Sequence, residues 1–245
     1  MTPSLAPFDL RDKRFLITGA NRGLGAALCR EILQHSPKII HAGYRHRPGE
    51  LLDDRVDYCP LDIQDAGSVA ATAASIAELD VLINNAGVLI PTATDPDEEM
   101  RNLQTMMDIH LYGPLRLIDA LLPALRQSRQ PMIVNMISMA AFASVPSVEA
   151  YCTSKAALHA ATQGLRLRYP NILCIGVYPG PTATDMAAGS TGPLANPTES
   201  AARIVHCMIA GQTAIFPDEA ARAVESLIGP GVAALEQQFS TLLSD

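Results

Sequence analysis

Short runs of consecutive apolar residues recur along the chain, separated by longer stretches in which apolar positions return every three to four residues. Residues 14–18, 38–43, 56–60, 80–84, 132–137, 172–177 and 214–216 make up the first set, and 23–34, 65–77, 97–126, 150–168 and 198–210 the second. Strands that are apolar throughout, instead of alternating, suit a parallel sheet covered on both faces. The strand–helix succession predicts an α/β chain built on a single doubly wound, mostly parallel sheet with helices on both faces. No repeat or low-complexity linker divides residues 1–245, which read as one domain. Residues 181–197 are rich in Thr, Ala, Gly and Pro and follow a strand end, where open α/β sheets bind ligands. They read as a substrate flap, an ordinary surface loop being the plainer alternative. Residues 218–245 read as a C-terminal extension of two helices broken at Gly229-Pro230-Gly231.

Composition narrows the function classes. With 245 residues and 48% hydrophobic side chains, the chain can bury most of its apolar surface in one core. Lys plus Arg number 18 against 25 Asp plus Glu, a net charge of −7, which argues against a nucleic-acid partner. A local basic pocket stays open. The longest charge-free stretch, 131–148, contains Asn135, Ser138, Ser144, Pro146 and Ser147, so it reads as a buried strand and loop and implies no membrane partner. The first fourteen residues carry acids and lack the apolar run of a secretory leader. Five scattered cysteines without a CxxC pair suggest core packing in a reducing cytoplasm, with no disulfide framework and no metal site.

Candidate chemistry begins at Thr18-Gly19-Ala20-Asn21-Arg22-Gly23-Leu24-Gly25, directly after the first strand and opening a helix. Glycines let a backbone turn tightly against a pyrophosphate, and the helix start offers unpaired N–H groups and a positive dipole end. The G-xxx-G-x-G spacing varies the usual dinucleotide fingerprint. At the end of the second strand, where an NAD enzyme places Asp or Glu on the ribose 2′-hydroxyl, stands Ala42-Gly43-Tyr44-Arg45-His46-Arg47, without an acid. Arg45 and Arg22 could pair with a 2′-phosphate, which favours NADP(H) over NAD(H). Two solvated surface arginines are the plainer alternative.

Tyr151 and Lys155 stand four residues apart in a helical pattern, so phenol and ammonium share a face. A nearby cation stabilises phenolate and lowers the tyrosine pKa towards a useful range. Ser138 ends the apolar run of the fifth strand, where its hydroxyl could hold a carbonyl oxygen while Tyr151 gives it a proton.

From residue 14 to about 216, these pieces together with Asp62, Asn84-Asn85-Ala86-Gly87 and Pro179-Gly180-Pro181-Thr182-Ala183-Thr184 make the chain resemble a short-chain dehydrogenase/reductase. The resemblance implies a Rossmann-type fold in which Gly19, Asn21, Arg22, Gly23, Leu24 and Gly25 cradle the dinucleotide and Asp62 bonds the adenine. It implies that Asn85, Ala86 and Gly87 line the cofactor and that Pro179, Gly180, Thr182 and Thr184 wrap the nicotinamide end. Ser138 would orient the substrate oxygen, Tyr151 would be the general acid/base, and Lys155 would bind the nicotinamide ribose and depress the Tyr151 pKa. The expected activity is hydride transfer between NADP(H) and a carbonyl or secondary alcohol, by a homodimer or homotetramer. The family's usual Asn in the long middle helix is replaced by His110, which reads as packing more readily than as a proton relay. That replacement motivates the alternative of an NADP(H)-binding regulatory protein with weak or no catalysis. A methyltransferase on a similar sheet would leave Tyr151, Lys155 and Asn84–Gly87 without a purpose. Ala214-Ile215-Phe216-Pro217-Asp218 replaces the usual glycine-rich ending of the last strand, which puts the pocket floor in doubt.

Overall fold

The computed structural model describes residues 8–45, 53–228 and 231. Strand and helix alternate as β1 (Arg14–Thr18), α1 (Gly23–Leu33), β2 (Ile39–Tyr44), β3 (Val56–Pro60), α2 (Ala66–Ser75), β4 (Val81–Asn84), α3 (Pro96–Met107), α4 (Gly113–Leu125), β5 (Met132–Met136), α5 (Glu149–Arg168), β6 (Leu173–Val177), α6 (Pro197–Ile209), β7 (Ala214–Ile215) and α7 (Glu219–Ile228). The strands form one sheet in the order β3-β2-β1-β4-β5-β6-β7, every pairing parallel. The order reverses between β1 and β4, so a crevice opens at their carboxyl ends, the place where such sheets take ligands. The predicted doubly wound sheet is therefore present, with strand boundaries within a residue of those the apolar runs suggest.

The unbroken apolar runs have a simple cause. Successive side chains of a strand point to opposite faces, and both faces are covered. Phe15, Ile17, Ile83, Val134 and Ile175 pack with Leu28, Ile32, Ile204 and Val205 on the α1 and α6 side. Leu16, Leu82, Ile133 and Cys174 pack with Leu117, Leu121 and Leu165 on the α4 and α5 side. Truncating one of these side chains to alanine costs about 2–5 kcal/mol. All five cysteines are free thiols, four of them buried.

Several helices announce their starts. Asp65 accepts the Gly67 N–H ahead of α2, Asp95 the Glu98 N–H ahead of α3, and Asn196 the Thr198 N–H ahead of α6. Pro96 and Pro197 open their helices, where a missing N–H does no harm. α1 has no such cap, which matters below.

The stretch 97–126 was expected to run as one helix, and it does not. α3 and α4 are separated by a π-helical turn, Asp108–Tyr112. Pro114 has no N–H to return to the His110 carbonyl, and the Gly113 N–H reaches back to the Asp108 carbonyl instead. A Cβ on Gly113 would lie 3.0 Å from that carbonyl oxygen, so the wider turn suits glycine. Residues 181–197 form a loop with a pinned neck, Ala183 N–H donating to Ala195 O and Ala195 N–H to Pro181 O. A short 3₁₀ turn, Asp185–Ala187, lies within it, and Pro197 belongs to α6. Of the two helices expected over 218–245, α7 is present; the break at Gly229-Pro230 and residues 232–245 lie outside the described residues.

Candidate functional site

The crevice is built from the turn after β1. Gly19 and Gly23 have φ of 62° and 54°, values that strain residues with a side chain. At Gly25 a Cβ would stand 2.3 Å from the Gly19 carbonyl oxygen and 2.5 Å from Asn85 Nδ2, so nothing larger than hydrogen fits. The Thr18 hydroxyl accepts the backbone N–H groups of Asn85 and Ala86, both at 2.9 Å. Asn85 Nδ2 returns bonds to the carbonyls of Thr18 and Gly19 at 2.9 and 3.0 Å. These four bonds lock the ends of β1 and β4 together at the reversal. α1 then begins at Gly23 with no side-chain cap from Arg22 and no acid in its first turn. Neither its N-cap nor its first turn compensates its positive dipole end. Leu24 turns inward and packs against the α1-side core.

The other predicted residues follow the carboxyl ends of neighbouring strands. Arg22 is exposed and donates to Asp185 Oδ2 at 2.6 Å, tying the glycine turn to the 181–197 loop. Thr184 sits beside it, with its methyl 3.1 Å from where a Gly23 Cβ would be. Arg45 is exposed just past β2; His46 and Arg47 lie outside the described residues. Asp62, after β3, accepts the Gln64 N–H at 3.0 Å and is half-buried. Past β6, the Gly180 N–H donates to Asp218 Oδ2 at 2.8 Å, and Thr182 donates to the Gly180 carbonyl at 3.1 Å.

Ser138, Tyr151 and Lys155 converge at the carboxyl edge of β5. The Ser138 hydroxyl accepts the Ala140 N–H at 3.1 Å and donates to the Pro179 carbonyl at 3.4 Å. Tyr151, in the first turn of α5, stands beside Ser138, close enough for that hydroxyl to act on the phenol. Lys155 is buried one turn later, donates to the Met136 carbonyl at 2.9 Å, and has its amine 5.7 Å from the centre of the Tyr151 ring. Burial pushes Lys155 down to about 7. Burial also pushes Tyr151 up to about 12, and the Ser138 hydrogen bond works against it. The expected lowering of the Tyr151 pKa by Lys155 is thus corrected. Desolvation dominates both groups, and the amine is directed at a backbone carbonyl instead of the phenol.

His110, on the π-helical turn, is buried behind this pair. Its Nδ1 lies 2.8 Å from the Ser154 hydroxyl, which donates to the Tyr151 carbonyl at 2.7 Å. Its Nε2 accepts the Val88 N–H at 3.1 Å, and its ring meets the Tyr151 ring edge-on at 5.5 Å. A Cβ on Gly87 would sit 3.2 Å from His110 Nε2 and 3.8 Å from Lys155 Nζ. Burial, reinforced by the Lys155 charge, holds His110 well below the ordinary histidine value. The packing reading of His110 understated how many site elements it touches.

Three further contributors were given no role of their own in the sequence. Thr18 is the hub between β1 and β4. Asp218 accepts both the Gly180 and Ala221 N–H groups, so the altered ending of β7 pins the Pro179-Gly180 loop and caps α7. Tyr178 stacks on Phe216 at 4.9 Å and packs against Phe142 and Ile137, forming an apolar cluster next to Ser138. An acid just ahead of a helix is a capping signal that could have marked Asp218. Nothing local marks Tyr178.

The model of the short chain dehydrogenase family matches residues 13–193, and the chain belongs to that family. It is 28% identical over 206 residues to the short chain dehydrogenase tazN of Aspergillus terreus, a match covering 76% of this chain but 45% of that protein. It is 31% identical over 213 residues to the uncharacterized oxidoreductase TDA5 of Saccharomyces cerevisiae, covering 80% of this chain and 65% of that one. The chain therefore spans between about half and two thirds of these curated relatives. A crystal structure of a short chain dehydrogenase from Burkholderia cenocepacia in complex with NADP superposes with a TM-score of 0.82 at 27% identity, over 97% of this chain and 100% of that one. Among the described residues, no helix is long and apolar enough to cross a membrane.

Proposed function

We propose that this chain is an NADP(H)-dependent oxidoreductase interconverting a carbonyl compound and a secondary alcohol, with Tyr151 as general acid/base. The observation that carries the reading is the convergence of Ser138, Tyr151 and Lys155 beside the β1–β4 crevice. The crevice fits a dinucleotide: glycines stand where side chains would collide, and α1 begins without a cap or an acid. Gly19, Asn21, Gly23 and Gly25 would cradle the pyrophosphate, Asp62 the adenine, and Lys155 the nicotinamide ribose. Asn85, Ala86 and Gly87 would form the wall beneath, with Pro179, Gly180, Thr182 and Thr184 around the nicotinamide end. When bound, the cofactor supplies or accepts the hydride. In the reducing direction Tyr151 would give the substrate oxygen its proton while Ser138 holds that oxygen in place.

NADP(H) is favoured by the absence of an acid at the end of β2, where Arg45 stands, and by the NADP bound to the Burkholderia neighbour. Arg22 is paired with Asp185, which a 2′-phosphate would have to displace. The same reading carries a small-molecule partner and a homodimer or homotetramer, which light scattering on the purified chain measures.

The test is Tyr151→Phe, assayed on a panel of ketones, aldehydes and quinones with NADPH and NADH. Turnover should fall about 10²–10⁴-fold while NADPH affinity changes little. Undiminished turnover removes Tyr151 from the mechanism, and a wild-type chain with no affinity for either nucleotide ends the proposal.

A further inference from the structure

We infer that His110 is a positioning residue, a neutral imidazole locked with its proton on Nδ1, which ties Tyr151 and the start of α5 to the segment after β4 and relays no proton. The inference rests on the function proposed above for what it positions, but the tautomer itself does not depend on that function.

Two hydrogen bonds assign the tautomer independently. Ser154 has one hydroxyl proton, and it goes to the Tyr151 carbonyl at 2.7 Å, so the 2.8 Å contact with His110 Nδ1 needs the ring nitrogen as donor. The Val88 backbone N–H can only donate, so Nε2, at 3.1 Å, must be unprotonated. A second ring proton would turn the Nε2 acceptor into a donor facing an N–H. The charged and titratable groups near the ring agree with this. Lys155 and Tyr151 face it from α5, while Asp108, on its own turn, is engaged by Arg116 and Gln64.

Both ring nitrogens are thus committed to protein partners, which leaves neither free to pass a proton from Lys155. The ring instead spans from α5 to the segment after β4. It holds the first turn of α5 through Ser154, the Tyr151 ring through edge contact, and the Gly87-Val88 backbone through Nε2. The π-helical turn makes this possible, because it carries a bulky ring into the space between Gly87 and Lys155. Misplacing reacting groups by about 1 Å costs roughly 100-fold in rate, so a strut at this point acts on kcat.

The experiment has two arms. In the first, two-bond ¹⁵N–¹H correlation spectra of the wild-type full chain, with His110 identified by loss of its signals in His110→Gln, should show one neutral ring with protonated Nδ1 from about pH 5 to about pH 9. A protonated Nε2, or titration within that range, overturns the inference whatever the protein's activity. The second arm compares His110→Phe and His110→Gln at equal folded concentration. The phenylalanine variant should lose roughly 10- to 100-fold in kcat with little change in the NADPH KM, and imidazole buffer should not restore it. Glutamine, which can donate to Ser154 and accept from Val88, should recover most of the loss. Rescue by imidazole would make His110 a relay, and an unchanged kcat in the phenylalanine variant would make it packing only; either result overturns the proposal. If the phenylalanine variant does not fold, the spectra and the glutamine variant still decide. Absence of turnover in the wild type would count against the proposed function and leave the tautomer standing.

Discussion

Asp80 and Lys155 are both buried ionisable groups, and they lie at opposite ends of the same sheet. Asp80 precedes β4 at the amino-terminal edge. It accepts the Arg14 N–H at 2.9 Å, the Arg14 guanidinium at 3.3 Å and the Ser128 hydroxyl at 2.5 Å. Burial alone would raise its carboxyl pKa, but these donors and the nearby Lys13 charge outweigh it and hold the value below the usual range. Lys155 has the Met136 carbonyl and, among the described residues, no carboxylate partner, and burial brings it down to about 7. A charge surrounded by donors is committed to holding the fold together. A charge kept near its ionisation threshold in a crevice is available for chemistry.

Exchanging each group for a neutral one should separate these roles. Lys155→Met is expected to lower turnover by at least about 100-fold while leaving the denaturation midpoint unchanged or higher, since it removes a poorly solvated amine. Asp80→Asn should do the reverse, costing about 2–4 kcal/mol in urea unfolding with kcat of the folded enzyme within about twofold.

The pH dependence sharpens the contrast. The folded chain holds Lys155 near 7 against an ordinary value of 10.5, so between those limits the unfolded chain binds the extra proton. Stability should therefore rise from about pH 7 to about pH 9.5, and Lys155→Met should lose that rise. The Asp80 carboxyl is lowered on folding, so its contribution is present above the carboxylate range and fades as pH falls through it. Urea midpoints across both ranges for the wild type and the two variants measure both signs. The smallest effect is expected at Asp185→Ala. Its exposed pair with Arg22 should contribute less than about 1 kcal/mol to stability, and freeing Arg22 should tighten NADPH binding more than NADH binding.

Legibility along the chain followed the range of the interactions involved. The glycine turn and the Tyr151/Lys155 spacing are local devices, so the residue types there already suggest a chemistry, whereas the Asn85–Gly87 run stood out only through the family resemblance. The π-helical turn was not legible, because Pro114 and Gly113 read equally well as a kink or a loop until the partners of Asp108 and His110 are known. Asp218 and Tyr178 act on groups far away in the chain, at Gly180 and Phe142.

By itself the amino-acid sequence determined the class of sheet and the order of strands and helices, which follow from hydrophobic periodicity. It marked the glycine turn and the Ser138, Tyr151 and Lys155 set through short spacings read together with a family resemblance. Only the tertiary structure decided the protonation landscape: Lys155 held near neutrality, Tyr151 raised, His110 locked between Ser154 and Val88. Proton affinities depend on how much water is excluded and which donors converge, and both are set by segments that meet only when the sheet and its helices have closed around the site.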